Sequence, residues 1–236
     1  MKSNRLLAIL LAAGAACLAL PQLGLAQDYP TKSIKLIIPY PPGGGTDYVG
    51  RVVGTKLAEL TKWTVILENR PGAGGNLAAE AVAKSAPDGY TLLLAQTDNV
   101  MVSPWLNPSV GYDTLKSFAP VVQLSITPGV IVSASSSTIR SPSDMIAKGK
   151  TAEGLRWATA GAGTFGDLLG EQYKKAMNIN LVNTAYKGAS PALTDLMGGH
   201  VDVALLSMGS VLPQVKTGKL HAVAVTTATR ANLLPD

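Results

Sequence analysis

Residues 34–47, IKLIIPYPPGGGTD, constrain the fold more than any other stretch of the chain. The apolar run at 34–38, interrupted only by Lys35, predicts a buried strand. Three prolines and three glycines then end the strand, and Thr46 and Asp47 suit the start of a helix predicted at 48–62. A strand that delivers a glycine turn to a helix N-terminus predicts an anion-binding position. A tight turn that binds no ligand is an alternative interpretation of equal weight.

The same order of strand, glycine-containing turn and helix recurs along the chain and predicts an α/β protein. Further strands are predicted at 63–67, 90–95, 121–126, 130–134, 155–159, 180–186, 201–206 and 220–225, and further helices at 77–84, 141–150, 167–177, 189–197 and 209–217. The first three strands alternate with helices, which implies a parallel sheet with right-handed crossovers. The chain is predicted to cross near residue 126 into a second β/α series. We therefore expect two doubly wound domains with a ligand cleft between them.

The N-terminal segment has the composition of a signal peptide. Lys2 and Arg5 precede an apolar run at 6–20 that is short for a membrane span, and cleavage is predicted after Ala26. Cys17, the only cysteine, lies in this segment, and Gly14 argues against its use as a lipid anchor. The predicted organisation is a signal peptide at 1–26, lobe 1 at 27–126, lobe 2 at 127–225, and a return segment at 226–236 that is cut short by truncation at the C-terminus.

A second glycine loop, Gly161-Ala162-Gly163-Thr164-Phe165-Gly166, also follows a predicted strand and opens a predicted helix. It matches the G-x-G-x-x-G pattern of dinucleotide-binding proteins, which also requires an acidic residue about 20 positions further on. Thr184, Ala185 and Tyr186 fill that region instead. The loop is therefore interpreted as a second anion-binding helix start, and a glycine turn that only packs helix on sheet is the alternative.

Charge and residue types exclude several functional classes. The net charge of +5 is spread without a basic stripe, which gives nucleic-acid binding little support. His200 and His221 have no ligand partner at helical spacing, so no metal site is predicted. No nucleophile motif or acid–base pair is apparent, and a binding protein is favoured over an enzyme.

The combined motifs resemble those of one family. They are P-P-G-G-x-x-D at 41–47, E-N-R-P-G-A-G-G at 68–75, P-D-G-Y-T at 87–91, T-x-G-x-G-T at 159–164 and Y-K-G at 186–188. This pattern is similar to that of Bug-type periplasmic receptors, the solute-binding subunits of tripartite tricarboxylate transporters. The resemblance implies a type II periplasmic-binding-protein fold that closes on a small carboxylate, held largely by backbone N–H groups and water.

The resemblance also implies a ligand-binding set drawn from both lobes. Lobe 1 would contribute Tyr40, Gly43, Gly44, Gly45, Thr46, Asp47, Gln96 and Thr97, and lobe 2 would contribute Thr159, Gly161, Gly163, Thr164, Asp167, Tyr186 and Lys187. Asp47 is expected to fix the helix start rather than touch the ligand. Asp98 and Asp167 depart from the family pattern; they would disfavour a second ligand carboxylate and could suit a ligand with an amine or a hydroxyl.

The implied protein is a periplasmic monomer without a cofactor. Its partners would be a small carboxylate and the membrane permease subunits of a tripartite transporter. The alternative is an exported nucleotide-dependent enzyme that uses the loop at 161–166.

Overall fold

The computed structural model describes residues 28–234, which contain eight strands and seven α-helices. The strands are β1 Ile34–Ile38, β2 Val65–Asn69, β3 Thr91–Leu93, β4 Gly129–Ala134, β5 Leu155–Thr159, β6 Leu181–Ala185, β7 Val203–Ser207 and β8 Leu220–Val225. The helices are α1 Gly45–Thr61, α2 Asn76–Ala83, α3 Ser103–Leu106, α4 Pro142–Gly149, α5 Phe165–Met177, α6 Ala189–Met197 and α7 Met208–Lys216. A 3₁₀ turn, Ala73–Gly75, precedes α2, and a π-helical turn, Asp98–Val102, precedes α3.

The first sheet has the strand order β2-β1-β3, and β1 runs parallel to both neighbours. The predicted parallel sheet is therefore confirmed. Ile38 is fully buried at the end of the central strand and packs with Leu36 and Leu94. Because parallel strands all point the same way, the loops that follow β1, β2 and β3 emerge at one edge of the sheet.

The second sheet has the order β6-β5-β7-β4-β8 and is mixed. β5 is parallel to β6 and β7, whereas β4 is antiparallel to β7 and β8. Alternate residues of its strands join two different core clusters, with Val130 and Val132 in one and Ile131 in the other. Both faces of the sheet are thus covered, which is why these strands read as continuous apolar runs.

One predicted strand is wrong. Residues 121–126 have no regular secondary structure, and the side chains of Val121, Val122 and Ile126 are exposed. β-branched residues favour an extended chain, but a strand also needs a hydrogen-bonded neighbour, and the described part of the chain places none beside this stretch. The segment instead links the two sheets as an irregular connection.

The predicted signal peptide lies outside the described residues. Among residues 28–234, no helix is long and apolar enough to cross a membrane. The predicted lobe boundaries stay predictions, although the strands of the first sheet all precede residue 94 and those of the second all follow residue 128.

Candidate functional site

The loop after β1 lies against the start of α7, a helix of the other half of the chain. The backbone N of Gly45 donates to Ser210 Oγ at 2.8 Å, and Ser190 Oγ donates to the carbonyl of Pro42 at 3.1 Å. The helix begins at Gly45 with Gly44 as its N-cap, so Thr46 and Asp47 already belong to its first turn. The first predicted anion position is therefore covered by α7 rather than open to a cavity.

Asp47 fixes this turn. Its carboxylate accepts hydrogen bonds from Gly43 N at 3.0 Å, Arg51 Nε at 2.8 Å and Asn69 Nδ2 at 2.9 Å. Burial alone would raise the pKa of Asp47, but these three donors outweigh burial and lower it. Thr46 is also engaged, because its hydroxyl oxygen accepts from the Gln96 side chain.

The glycine loop after β5 is built in the same way. The hydroxyls of Thr159 and Thr164 both donate to the carbonyl of Gly161, at 3.3 and 2.7 Å. Asp167 accepts from Gly163 N at 2.7 Å and from the side-chain amide of Asn183 on β6. Asp167 therefore plays the part in this turn that Asp47 plays in the first.

A cavity of about 200 Å³ lies where loops from both sheets meet. Most of its lining residues are glycine or alanine, and the lining comprises Tyr40, Gly72, Ala73, Gly74, Gly75, Ala160, Gly161, Ala162, Ala185, Tyr186 and Lys187. Four residues of the predicted ligand-binding set line it, namely Tyr40, Gly161, Tyr186 and Lys187. The remaining members lie outside its lining: Gly43, Gly44, Gly45, Thr46, Asp47, Gln96, Thr97, Thr159, Gly163, Thr164 and Asp167.

The loop Gly72–Gly75 forms a part of the wall that the predicted ligand-binding set does not include. The sequence carried a signal for it, since the run NRPGAGG follows a strand of the same parallel sheet. Gly72, Gly74 and Gly75 have φ of 130°, 66° and 96°, a region that disfavours other residues. A Cβ on Gly74 would lie 3.0 Å from the carbonyl oxygen of Ala162, so the two glycine loops approach each other across the cavity.

Asp98 contacts Tyr40 and joins the two halves at the edge of this cavity. The Tyr40 hydroxyl lies 3.0 Å from the Gly74 carbonyl and 3.2 Å from Asp98 Oδ2, so two acceptors share one proton. Asp98 Oδ1 accepts from the backbone N of Phe165 at 2.8 Å. Burial raises the pKa of Asp98, against the opposing effect of these two donors, and burial next to Asp98 raises the pKa of Tyr40 well above its ordinary value.

The other polar groups of the cavity are on the segment after β6. Tyr186 donates its hydroxyl proton to Asp195 at 2.6 Å, and burial together with this carboxylate raises the pKa of Tyr186 to about 12. Within residues 28–234 the Lys187 ammonium makes no ion pair. The cavity can therefore offer the Lys187 ammonium to an anionic ligand. No group of His, Cys, Asp or Glu in the described residues is arranged to hold a metal ion.

The chain has two α/β sheets, and loops of both surround a small cavity. This architecture is that of the two-lobed α/β binding proteins found in periplasmic transport. The chain belongs to the tripartite tricarboxylate transporter receptor family, whose sequence model matches residues 49–236. The predicted family and fold class are both confirmed.

Named relatives agree with this assignment. The protein BugT of Bordetella pertussis is 36% identical over 214 residues, which are 89% of this chain and 65% of BugT. The structure of R. palustris Rpa4515 with adipate superposes with a TM-score of 0.81 at 29% identity, covering 86% of this chain and 68% of the other. MatC from Rhodopseudomonas palustris with bound malate gives 0.80 at 26% identity, covering 88% and 71%. The chain spans 63% to 67% of the length of the first three curated relatives that it matches.

Proposed function

We propose that this protein is a periplasmic solute receptor that captures a small carboxylate by closure of two lobes and delivers it to the permease of a tripartite transporter. The observation that carries the proposal is the cavity of about 200 Å³ between the Gly72–Gly75 loop of one half and residues 160–162 of the other. A ligand in this position touches both halves at once, so only the closed arrangement satisfies all of its contacts.

The chemistry of the cavity fits an anion of few atoms. Most of its lining residues are small, and Lys187 supplies a positive charge without a protein counter-ion in the described residues. Adipate and malate, which occupy the two related structures, are both small carboxylates. We assign direct ligand contact to Tyr40, Gly161, Tyr186 and Lys187.

The remaining members of the predicted set support the cavity from outside its lining. Asp47 and Asp167 hold the two glycine turns in shape, and Gly45 lets α1 approach α7. In this proposal lobe 1 spans residues 27–126, lobe 2 spans 127–225, and 226–236 begin a return segment. Cleavage after Ala26 releases a monomeric receptor into the periplasm.

A thermal-shift screen tests the proposal. The purified protein is heated with succinate, adipate, hexanoate or NAD, each from 10 µM to 10 mM. A ligand that binds only the folded state raises Tm in proportion to the logarithm of its concentration once it exceeds Kd. We expect at least one carboxylate to raise Tm and NAD to have no effect. Stabilisation by NAD alone would refute the receptor proposal and favour a nucleotide-dependent protein.

A further inference from the structure

The contact between Asp98 and α5 places one of the protein's own carboxylates at a helix start that could otherwise receive a ligand anion. Asp98 follows β3 of the first sheet, and Phe165 is the first residue of α5 in the second half of the chain. The two residues are 67 positions apart and are joined by a 2.8 Å hydrogen bond to Asp98 Oδ1. A carboxylate is the group that a helix N-terminus stabilises best.

Three backbone donors of this turn are already used. Gly163 N donates to Asp167 at 2.7 Å, Thr164 N donates to the Gly161 carbonyl at 3.3 Å, and Phe165 N donates to Asp98. An incoming carboxylate would have to displace Asp98 or Asp167 in order to reach these N–H groups. The displaced side chain would then lie as a partly buried anion beside the ligand, which is unfavourable.

Asp98 also lies directly behind the cavity wall. Its Oδ2 faces the hydroxyl of Tyr40, and Tyr40 itself lines the cavity. Both carboxylate oxygens face donors, an arrangement that fits the ionised form. Within residues 28–234 the cavity region thus combines one cation that makes no ion pair, Lys187, with the carboxylates of Asp98 behind Tyr40 and Asp195 behind Tyr186. A second carboxylate on the ligand would add negative charge to a region where the protein already places two carboxylates.

We propose that Asp98 is a specificity-determining residue that makes this receptor select monocarboxylates over dicarboxylates. The inference rests on the proposed function and narrows its ligand class. Two like charges a few ångströms apart near a protein surface repel strongly enough to change affinity at least about tenfold. A ligand with one carboxylate can pair with Lys187 and direct an uncharged end toward Asp98.

Hexanoate and adipate provide a matched pair of probes, since both are six-carbon chains and only adipate has a second carboxylate. Their affinities are measured by calorimetric titration at pH 7.5 for the wild type and for Asp98→Asn. Asparagine keeps an acceptor for Phe165 N and removes the charge. Glu59→Gln is the control, because it also removes one negative charge, here from an exposed ion pair with Lys56 near the C-terminal end of α1.

We expect the wild type and Glu59→Gln to bind hexanoate at least about tenfold more tightly than adipate, and Asp98→Asn to reduce that ratio at least about tenfold through tighter adipate binding. Wild-type preference for adipate, or an unchanged ratio in Asp98→Asn, would overturn the role of Asp98 and leave the receptor proposal intact. Failure of the folded wild type to bind any carboxylate would overturn both.

Discussion

Replacing Gly45 with alanine tests how closely the two halves of the chain must approach. Gly45 begins α1, and its backbone N donates to Ser210 Oγ at 2.8 Å. A Cβ at this position would stand 2.7 Å from Ser207 Oγ, 3.1 Å from Ser210 N and 3.3 Å from the carbonyl carbon of Gly209. The Ser207 side chain can rotate away, but the backbone atoms of α7 can move only if the helix moves.

The size of the effect follows from these contacts. Forcing a methyl group into a tightly packed place costs about 1–3 kcal/mol, and weakening the hydrogen bond to Ser210 costs about 1 kcal/mol. Alanine recovers up to about 1 kcal/mol through its better helix propensity. We expect Gly45→Ala to lower the free energy of unfolding by about 1–3 kcal/mol. Because the contact joins the two halves, carboxylate affinity should fall by about 5- to 150-fold.

Urea unfolding and calorimetric titration measure the two effects, and Gly44→Ser is the matched control. Gly44 is the N-cap of α1, with φ −85° and ψ 170°, a position that serine favours. A Cβ there would meet nothing closer than the Pro41 carbonyl at 3.8 Å. We expect the control to stay within about 0.5 kcal/mol of the wild type. Wild-type stability and affinity in Gly45→Ala, or equal losses in both variants, would refute the reasoning.

Two further substitutions separate stability from binding. Asp47→Ala removes an acceptor of three hydrogen bonds and should lower the free energy of unfolding by about 2–3 kcal/mol at pH 7 in urea titrations. The folded-state pKa of Asp47 is below its ordinary 3.8, so the difference from wild type should persist above pH 3.8 and shrink as pH falls through the lowered pKa. An equal difference at pH 2 would contradict the assignment. Lys187→Met should weaken carboxylate binding about two- to fivefold, mainly at low salt, and leave Tm unchanged. A salt-independent affinity equal to that of wild type would exclude Lys187 as a ligand contact.

The element order could be predicted because local composition determines it. β5, α6 and β8 occur at the predicted residues, since each is a run of buried or amphipathic residues bounded by glycine or a turn. Which strands pair with each other could not be predicted in this way, because strand pairing depends on residues far away in the chain. Val121 and Val122 have the β-branched side chains typical of strands, yet they remain exposed beside no hydrogen-bonded neighbour in the described chain.

The same holds for the site: features set by local sequence could be predicted, whereas contacts between distant residues could not. Sequence patterns located both glycine turns, and Asp47 holds its helix start as expected. They could not show that α7 covers the first turn, because the Gly45–Ser210 contact joins residues 165 positions apart. They also could not place Asp98 on the N-terminus of α5. Each of these contacts joins segments that belong to different sheets, so it exists only once the two sheets are positioned.

The two glycine turns are each locked from within their own half of the chain. In each case an aspartate in the first turn of the following helix accepts a hydrogen bond from a glycine N–H. An asparagine of the next strand donates a second hydrogen bond to the same aspartate, as in the pairs Asp47–Asn69 and Asp167–Asn183. Turns that are rigid before a ligand arrives lose little conformational entropy on binding. If the receptor closes as proposed, the contacts that change are then expected to be those between the halves, such as Gly45–Ser210 and Asp98–Phe165. Substitutions at those contacts should therefore alter affinity and selectivity, whereas substitutions within the locked turns should alter stability first.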